Sequence, residues 1–110
     1  MASLTSKIFI PQATVGLNVQ KAADFGELRT ILPESANPFN PDQLLLLAAQ
    51  ELKAQDYDPT RDYIVFSAKS NVLAMIAGLI MSKHPKFKIL LFDARKQGYV
   101  ERVLVSPYHI

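Results

Sequence analysis

Between two apolar runs of this chain lies a short polar turn, Ser67-Ala68-Lys69-Ser70-Asn71. If a strand precedes it and a helix follows, the turn can do one kind of chemistry, the holding of an anion. The first N–H groups of a helix lack partners within it and sit at the positive end of its dipole. Lys69 would add a full charge, and Ser67, Ser70 and Asn71 would add hydrogen-bonding groups. Gln12 and Thr14 follow the first apolar run and Asp93 ends a later one, so a parallel sheet would bring them to the same carboxyl edge. Ligands of α/β proteins gather at that edge. Ser67, Lys69, Ser70, Asn71, Asp93 and Gln12 are therefore the candidate ligand- or anion-binding residues.

Plainer roles compete with each of them. Ser70 or Asn71 can cap the helix while Lys69 points to water, and this is the first reading of the turn. Asp93 can bond its own hairpin loop. Neither Gly-x-x-x-x-Gly-Lys-Ser/Thr nor Gly-x-Gly-x-x-Gly occurs, so neither glycine-rich phosphate loop is present. The chain has no cysteine, which removes disulfides, thiolate metal ligands and thiol nucleophiles. His84 and His109 lack partners at ligand spacing, and no Gly-x-Ser-x-Gly elbow is found, so neither a metal site nor a catalytic set is expected. Asp56, Asp58 and Asp62 crowd one turn, where they read as solvated rather than catalytic. No cofactor is implied.

Charge is uneven along the chain. Residues 1–55 carry four Lys/Arg against five Asp/Glu, and residues 56–110 carry eight against five. Lys83, Lys86 and Lys88 form one basic cluster and Arg95 with Lys96 another, the residues a nucleic acid would use. A solvated rim is the simpler reading of so mild a bias. The tyrosines do not interleave with these residues as a base-stacking surface requires.

The elements that must position these residues are legible from hydrophobic period and caps. Lys7–Gln12 reads as a first strand, Asn18–Phe25 as a short helix with Asn18 its N-cap, and Glu27–Pro33 as a second strand with Leu28, Thr30 and Leu32 on one side. Asn40-Pro41-Asp42-Gln43 opens an amphipathic helix with a capping-box-like pair. Its Leu44 and Leu45 are expected in the core. The turn Tyr57–Asp62 leads to a buried strand at 63–67, and a nearly all-apolar helix follows from Asn71 to about Lys83, with Met75 in the core. Phe87–Phe92 is a further buried strand, and a loop with Gly98 at positive φ returns the chain along 99–105. Apolar strands alternating with helices imply an α/β domain spanning residues 1–110, with 1–6 and 106–110 as tails. Its mixed sheet should have about five strands, parallel apart from an antiparallel C-terminal hairpin, with two to three helices.

The longest apolar run, Val72–Met81, is ten residues, about half of what a bilayer needs. The N-terminus lacks the apolar core of a signal peptide. A cytoplasmic protein without membrane contact is expected. A chain this small cannot cover every side of so apolar a helix, so Leu73, Ile76, Ile80 and Met81 are the candidate interface. The default partner is a second copy, in a homodimer, or another protein.

Four segments together carry a resemblance: "IPQ", "AADFGELRTILP", "DYIVFSAKSNVLAMIAGLIMSKH" and "KILLFDARKQGYVERVLV". Over residues 7–105 the chain resembles a family of short proteins encoded by tailed bacteriophages and prophages. In that family an Asp-Tyr strand leads to a helix rich in small residues, and a strand ending in Trp-Asp or Phe-Asp opens a basic hairpin. The family's turn usually contains Gly-Asp-Pro, where this chain has Ser67-Ala68-Lys69-Ser70. The resemblance implies a phage setting, hence the host cytoplasm, and no site or activity. The functional expectation is a non-enzymatic binding or assembly protein acting through protein contacts. The alternative is a nucleotide- or nucleic-acid-associated protein using the carboxyl edge and the adjacent basic loops.

Overall fold

Period-two alternation assigns the strands to two cores. In strand β1 (Lys7–Gln12) Ile8 and Ile10 are buried on one face and Phe9 on the other. The computed structural model, which describes residues 5–12, 19–67 and 69–106, repeats this pattern in β3 (Tyr63–Val65), with Ile64 opposed to Tyr63 and Val65, and in β4 (Lys86–Asp93), with Ile89 opposed to Leu90. Both faces are covered, which explains why these strands read as unbroken apolar runs.

One face carries helices α1 (Pro41–Ala54) and α2 (Ser70–Met81). Their stripes Leu44, Ala48, Leu52 and Val72, Ile76, Ile80 close over Phe9, Ile64, Phe87 and Ile89. Among the described residues the other face carries a short 3-10 helix, Val19–Phe25, whose Ala22 and Phe25 pack on Ile8, Tyr63 and Leu90. Strand β2 (Glu27–Leu32) pairs with β1, and β5 (Gly98–Val105) returns antiparallel to β4. The sheet order is β2-β1-β3-β4-β5, parallel except for the last pair. The expected five-stranded mixed sheet with a C-terminal hairpin is the fold. The chain moves outward from β1 to β2, then crosses to β3 on the opposite side. The carboxyl edge between β1 and β3 is thus the switch point at which such sheets open a crevice.

Local details depart from expectation where side chains found other partners. Asn40 caps α1 without a side-chain bond to the helix backbone; its carbonyl accepts from Leu44 N at 3.0 Å, and its Nδ2 donates to Gln43 Oε1 at 3.1 Å. Gln97, not Gly98, takes the left-handed backbone of the β4–β5 loop, at φ 53°. Leu32 joins Ile31 in the helix-side core as the chain leaves the sheet toward α1. Leu44 is core, but Leu45 is only half-buried and Met75 packs on the core from its margin, because single stripes of α1 and α2 face the sheet. Asn18, Thr14, Ala68, Tyr108 and His109 lie outside the described residues.

Candidate functional site

The carboxyl edge does gather three of the predicted residues. Register places Gln12, Ser67 and Asp93 at the ends of adjacent strands. Their side chains make structural hydrogen bonds, although Gln12 Oε1 is buried without a partner among the described residues. Gln12 is buried, and its Nε2 donates to the carbonyls of Pro33, Glu34 and Ala36 at 3.2, 3.4 and 3.1 Å. It braces the loop that leads into α1. Asp93 Oδ1 accepts from Arg95 N at 3.0 Å, which sets the hairpin turn. Burial pushes the Tyr99 phenol up, and a hydrogen bond with the Ser67 side chain acts the other way.

The turn before α2 is not capped by either predicted residue. Lys69 is the N-cap, its carbonyl accepting the first helical bond from Leu73 N at 2.9 Å, and no side chain caps the helix. Asn71 Oδ1 turns to the N–H of Val72 at 2.9 Å. Lys69, Ser70 and Asn71 are all exposed.

The basic residues do not form one patch. Lys86 begins β4, while Arg95 and Lys96 lie in the loop beyond its far end. Eight residues of strand hold the two clusters about 23 Å apart. Lys88 is engaged: its ammonium lies 4.4 Å over the Tyr63 ring and 3.8 Å from Glu101, which accepts the Tyr63 hydroxyl at 2.8 Å. Near the loop, Asp93, Arg95 and Arg102 border a shallow hollow of about 420 Å³ floored by Leu91 and Val100.

Two of the four expected interface residues are not on the surface. Ile76 and Ile80 are 0% and 2% exposed and belong to the core, while Leu73 and Met81 are half-buried. One sheet face and α1 suffice to cover α2. Exposed apolar side chains lie elsewhere: Phe39 at 89%, Leu46 at 58% and Leu47 at 40%, all at the start of α1, with Leu91, Val103 and Val105 on the β4–β5 hairpin.

Among the three acids of the 56–62 turn, Asp62 is the opposite of solvated. Its side chain is fully buried, and its carboxylate accepts from Lys7 N and Asp58 N at 2.9 Å each and from Arg61 Nε at 2.9 Å. The Lys7 ammonium stands 3.7 Å away. Burial alone would raise its pKa; the bonds from Arg61, Lys7 and Asp58 outweigh that and hold it below the ordinary aspartate value. Asp56 ends α1 in the left-handed region, φ 54°. Its N–H reaches Lys53 O at 3.1 Å and that of Tyr57 reaches Leu52 O at 3.0 Å, the two bonds of a Schellman turn.

That turn delivers Tyr57 under the helices. Its ring stands edge-on to Phe9 at 5.5 Å and to His84 at 6.1 Å. The last turns of α1 and α2 diverge above it and leave a cleft of about 470 Å³. Ala49, Leu52, Leu79 and Ile80 supply the apolar walls; Gln50, Lys53, Lys83 and His84 supply the polar rim. The Tyr57 hydroxyl is buried without a partner. Burial first, and then the Asp62 and Asp58 carboxylates, push its ionisation far above the usual phenol range, so it remains a neutral donor. Sequence reasoning missed this cleft because its parts are spread over 36 positions of chain and share no motif.

Among the described residues no group of His, Asp or Glu is arranged to hold a metal ion, and no helix is long and apolar enough to cross a membrane. A small mixed-sheet α/β domain, with two α-helices on one face and a short 3-10 helix on the other among the described residues, is the class of protein these elements define. The chain belongs to the Phage Pam3 gp32-like protein family, whose model matches residues 6–106. No curated protein and no solved structure matches it.

Proposed function

We propose that this phage protein is a non-enzymatic binding and assembly protein that works in the host cytoplasm through protein–protein contacts. The supporting observation is the exposure of three large apolar side chains, Phe39, Leu46 and Leu47. Leu46 lies about 200° around α1 from the buried Leu44, so it cannot reach the sheet. Phe39 is nearly as open as in an extended chain. Apolar side chains grouped on an outer surface mark contacts with other chains. A second copy is the first partner to test, because two-fold pairing is the commonest closed assembly.

Light scattering at micromolar concentration reads the outcome. The expected mass is twice 12.3 kDa, falling to the monomer in Phe39→Ser/Leu46→Glu, with the folded circular dichroism spectrum retained because both side chains are exposed and only the stabilisation due to pairing lost. A monomer at every concentration, together with equal capture of host proteins by the wild type and the variant, would overturn the proposal. The hollow between Arg95 and Arg102 supports a second reading, association with nucleotides or nucleic acid at the carboxyl edge. Binding of single-stranded DNA that weakens steeply with salt, and is lost in Arg95→Ala/Arg102→Ala, is the result that reading requires.

A further inference from the structure

We propose that the cleft between the ends of α1 and α2 binds a small amphiphilic anion, a molecule with an apolar body and one carboxylate- or phosphate-type head. Four observations carry it. The volume, about 470 Å³, falls within the usual range of small-molecule sites. The walls Leu52, Leu79 and Ile80 are apolar, which suits a hydrocarbon or aromatic body and does not suit a free inorganic anion. Lys53 and Lys83 border the cleft, and neither ammonium has a carboxylate within ion-pair distance among the described residues. Consistent with those free lysines, no acidic side chain among the described residues lines it.

The fourth observation is Tyr57. Its hydroxyl is a buried donor with no acceptor. The nearby Asp62 carboxylate is already occupied by Lys7, Asp58 and Arg61. An anionic head entering the cleft would supply the missing acceptor.

The two helix ends oppose this attraction, since each carries roughly half a negative charge. Two full lysine charges exceed the helix-end charges, and of the two carboxylates that act on Tyr57, Asp62 is matched by Arg61 and Lys7 while Asp58 opposes the anion. In addition, the last carbonyls of α1 are bonded by the Schellman turn, and those of α2 by the N–H groups of Ser82, Lys83 and His84. These carbonyls are therefore turned toward backbone donors rather than toward the cleft.

The test uses the full chain, labelled with ¹⁵N and titrated with octanoate, 1-octanol and acetate in separate arms. Octanoate should saturate, with shifts confined to residues 49–57 and 79–84. The alcohol and the bare head group should each bind at least ten-fold more weakly. Lys83→Gln, at an exposed position, should weaken octanoate several-fold and leave 1-octanol unchanged. Tyr57→Phe should weaken octanoate several-fold. Leu79→Trp should fill the cleft and abolish the response, with the remaining spectrum retained. Equal affinity for 1-octanol, octanoate binding unaffected by Lys83→Gln, or shifts spread over the β4–β5 hairpin would each overturn the proposal.

Discussion

Replacing Asp62 by asparagine tests the tie that joins the start of β1 to the turn before β3. The carboxylate receives two backbone N–H groups, from Lys7 and Asp58, and the Arg61 guanidinium through Nε at 2.9 Å and a terminal nitrogen at 3.0 Å. Asparagine keeps the shape, but one of its two acceptors becomes a donor. One N–H then faces another N–H, and Arg61 loses its counter-charge. A part-buried donor left without a partner costs about 1–3 kcal/mol. Breaking one side of a buried ion pair costs about 3–5 kcal/mol. These overlap because they describe the same atoms. Arg61 and Lys7 keep some access to water, 17% each, so the lower part of the range applies, about 3 kcal/mol. Urea unfolding followed by circular dichroism reads this directly. With a slope of about 1–3 kcal/mol per molar, the midpoint should fall by at least 1 M.

The same site predicts a pH dependence. The folded Asp62 is held below its ordinary value. Its contribution is therefore fully present above the unfolded value near pH 4 and is lost as pH falls through the folded one. Wild-type stability should decline below about pH 4 more steeply than that of the Asn variant. An Asn variant within about 1 kcal/mol of wild type at pH 7 would show that these bonds merely replace equivalent bonds to water.

Other outcomes follow from the packing. Gly26→Ala should destabilise by about 1–3 kcal/mol in a thermal melt, because a Cβ there would strike the Ser6 carbonyl that accepts Glu27 N. Asp56→Gly should stabilise by about 0.5 kcal/mol, since relief of a left-handed backbone, roughly 1 kcal/mol, exceeds the added freedom of the unfolded chain; a destabilised variant would show that the Asp56 side chain matters more than its φ. Ile76→Ala should cost about 2–5 kcal/mol in denaturant, whereas Leu46→Ala should change the monomer by no more than about half a kcal/mol. Equal costs would mean that the outer side of α1 is covered.

What the amino-acid order determined by itself was the set of elements and their pairing direction. Short apolar runs at 63–66 and 89–92 read as strands, an intervening helix implies parallel pairing, and the four-residue loop at 94–97 permits only a hairpin. These signals are local, set by hydrophobic period and loop length. Side-chain roles were decided only by tertiary structure, because they depend on which distant groups arrive. Asp62 reads as one of three solvated acids until β1 brings the N–H of Lys7 to it across 55 positions of chain. Gln12 reads as a pocket residue until the Pro33–Ala36 loop claims its amide. The four leucines 44–47 look alike in sequence; the rotation of α1 on the sheet buries Leu44 and leaves Leu46 and Leu47 in the open. The cleft at the helix ends is likewise written in no single segment, since its lining comes from α1, from Tyr57 and from the end of α2.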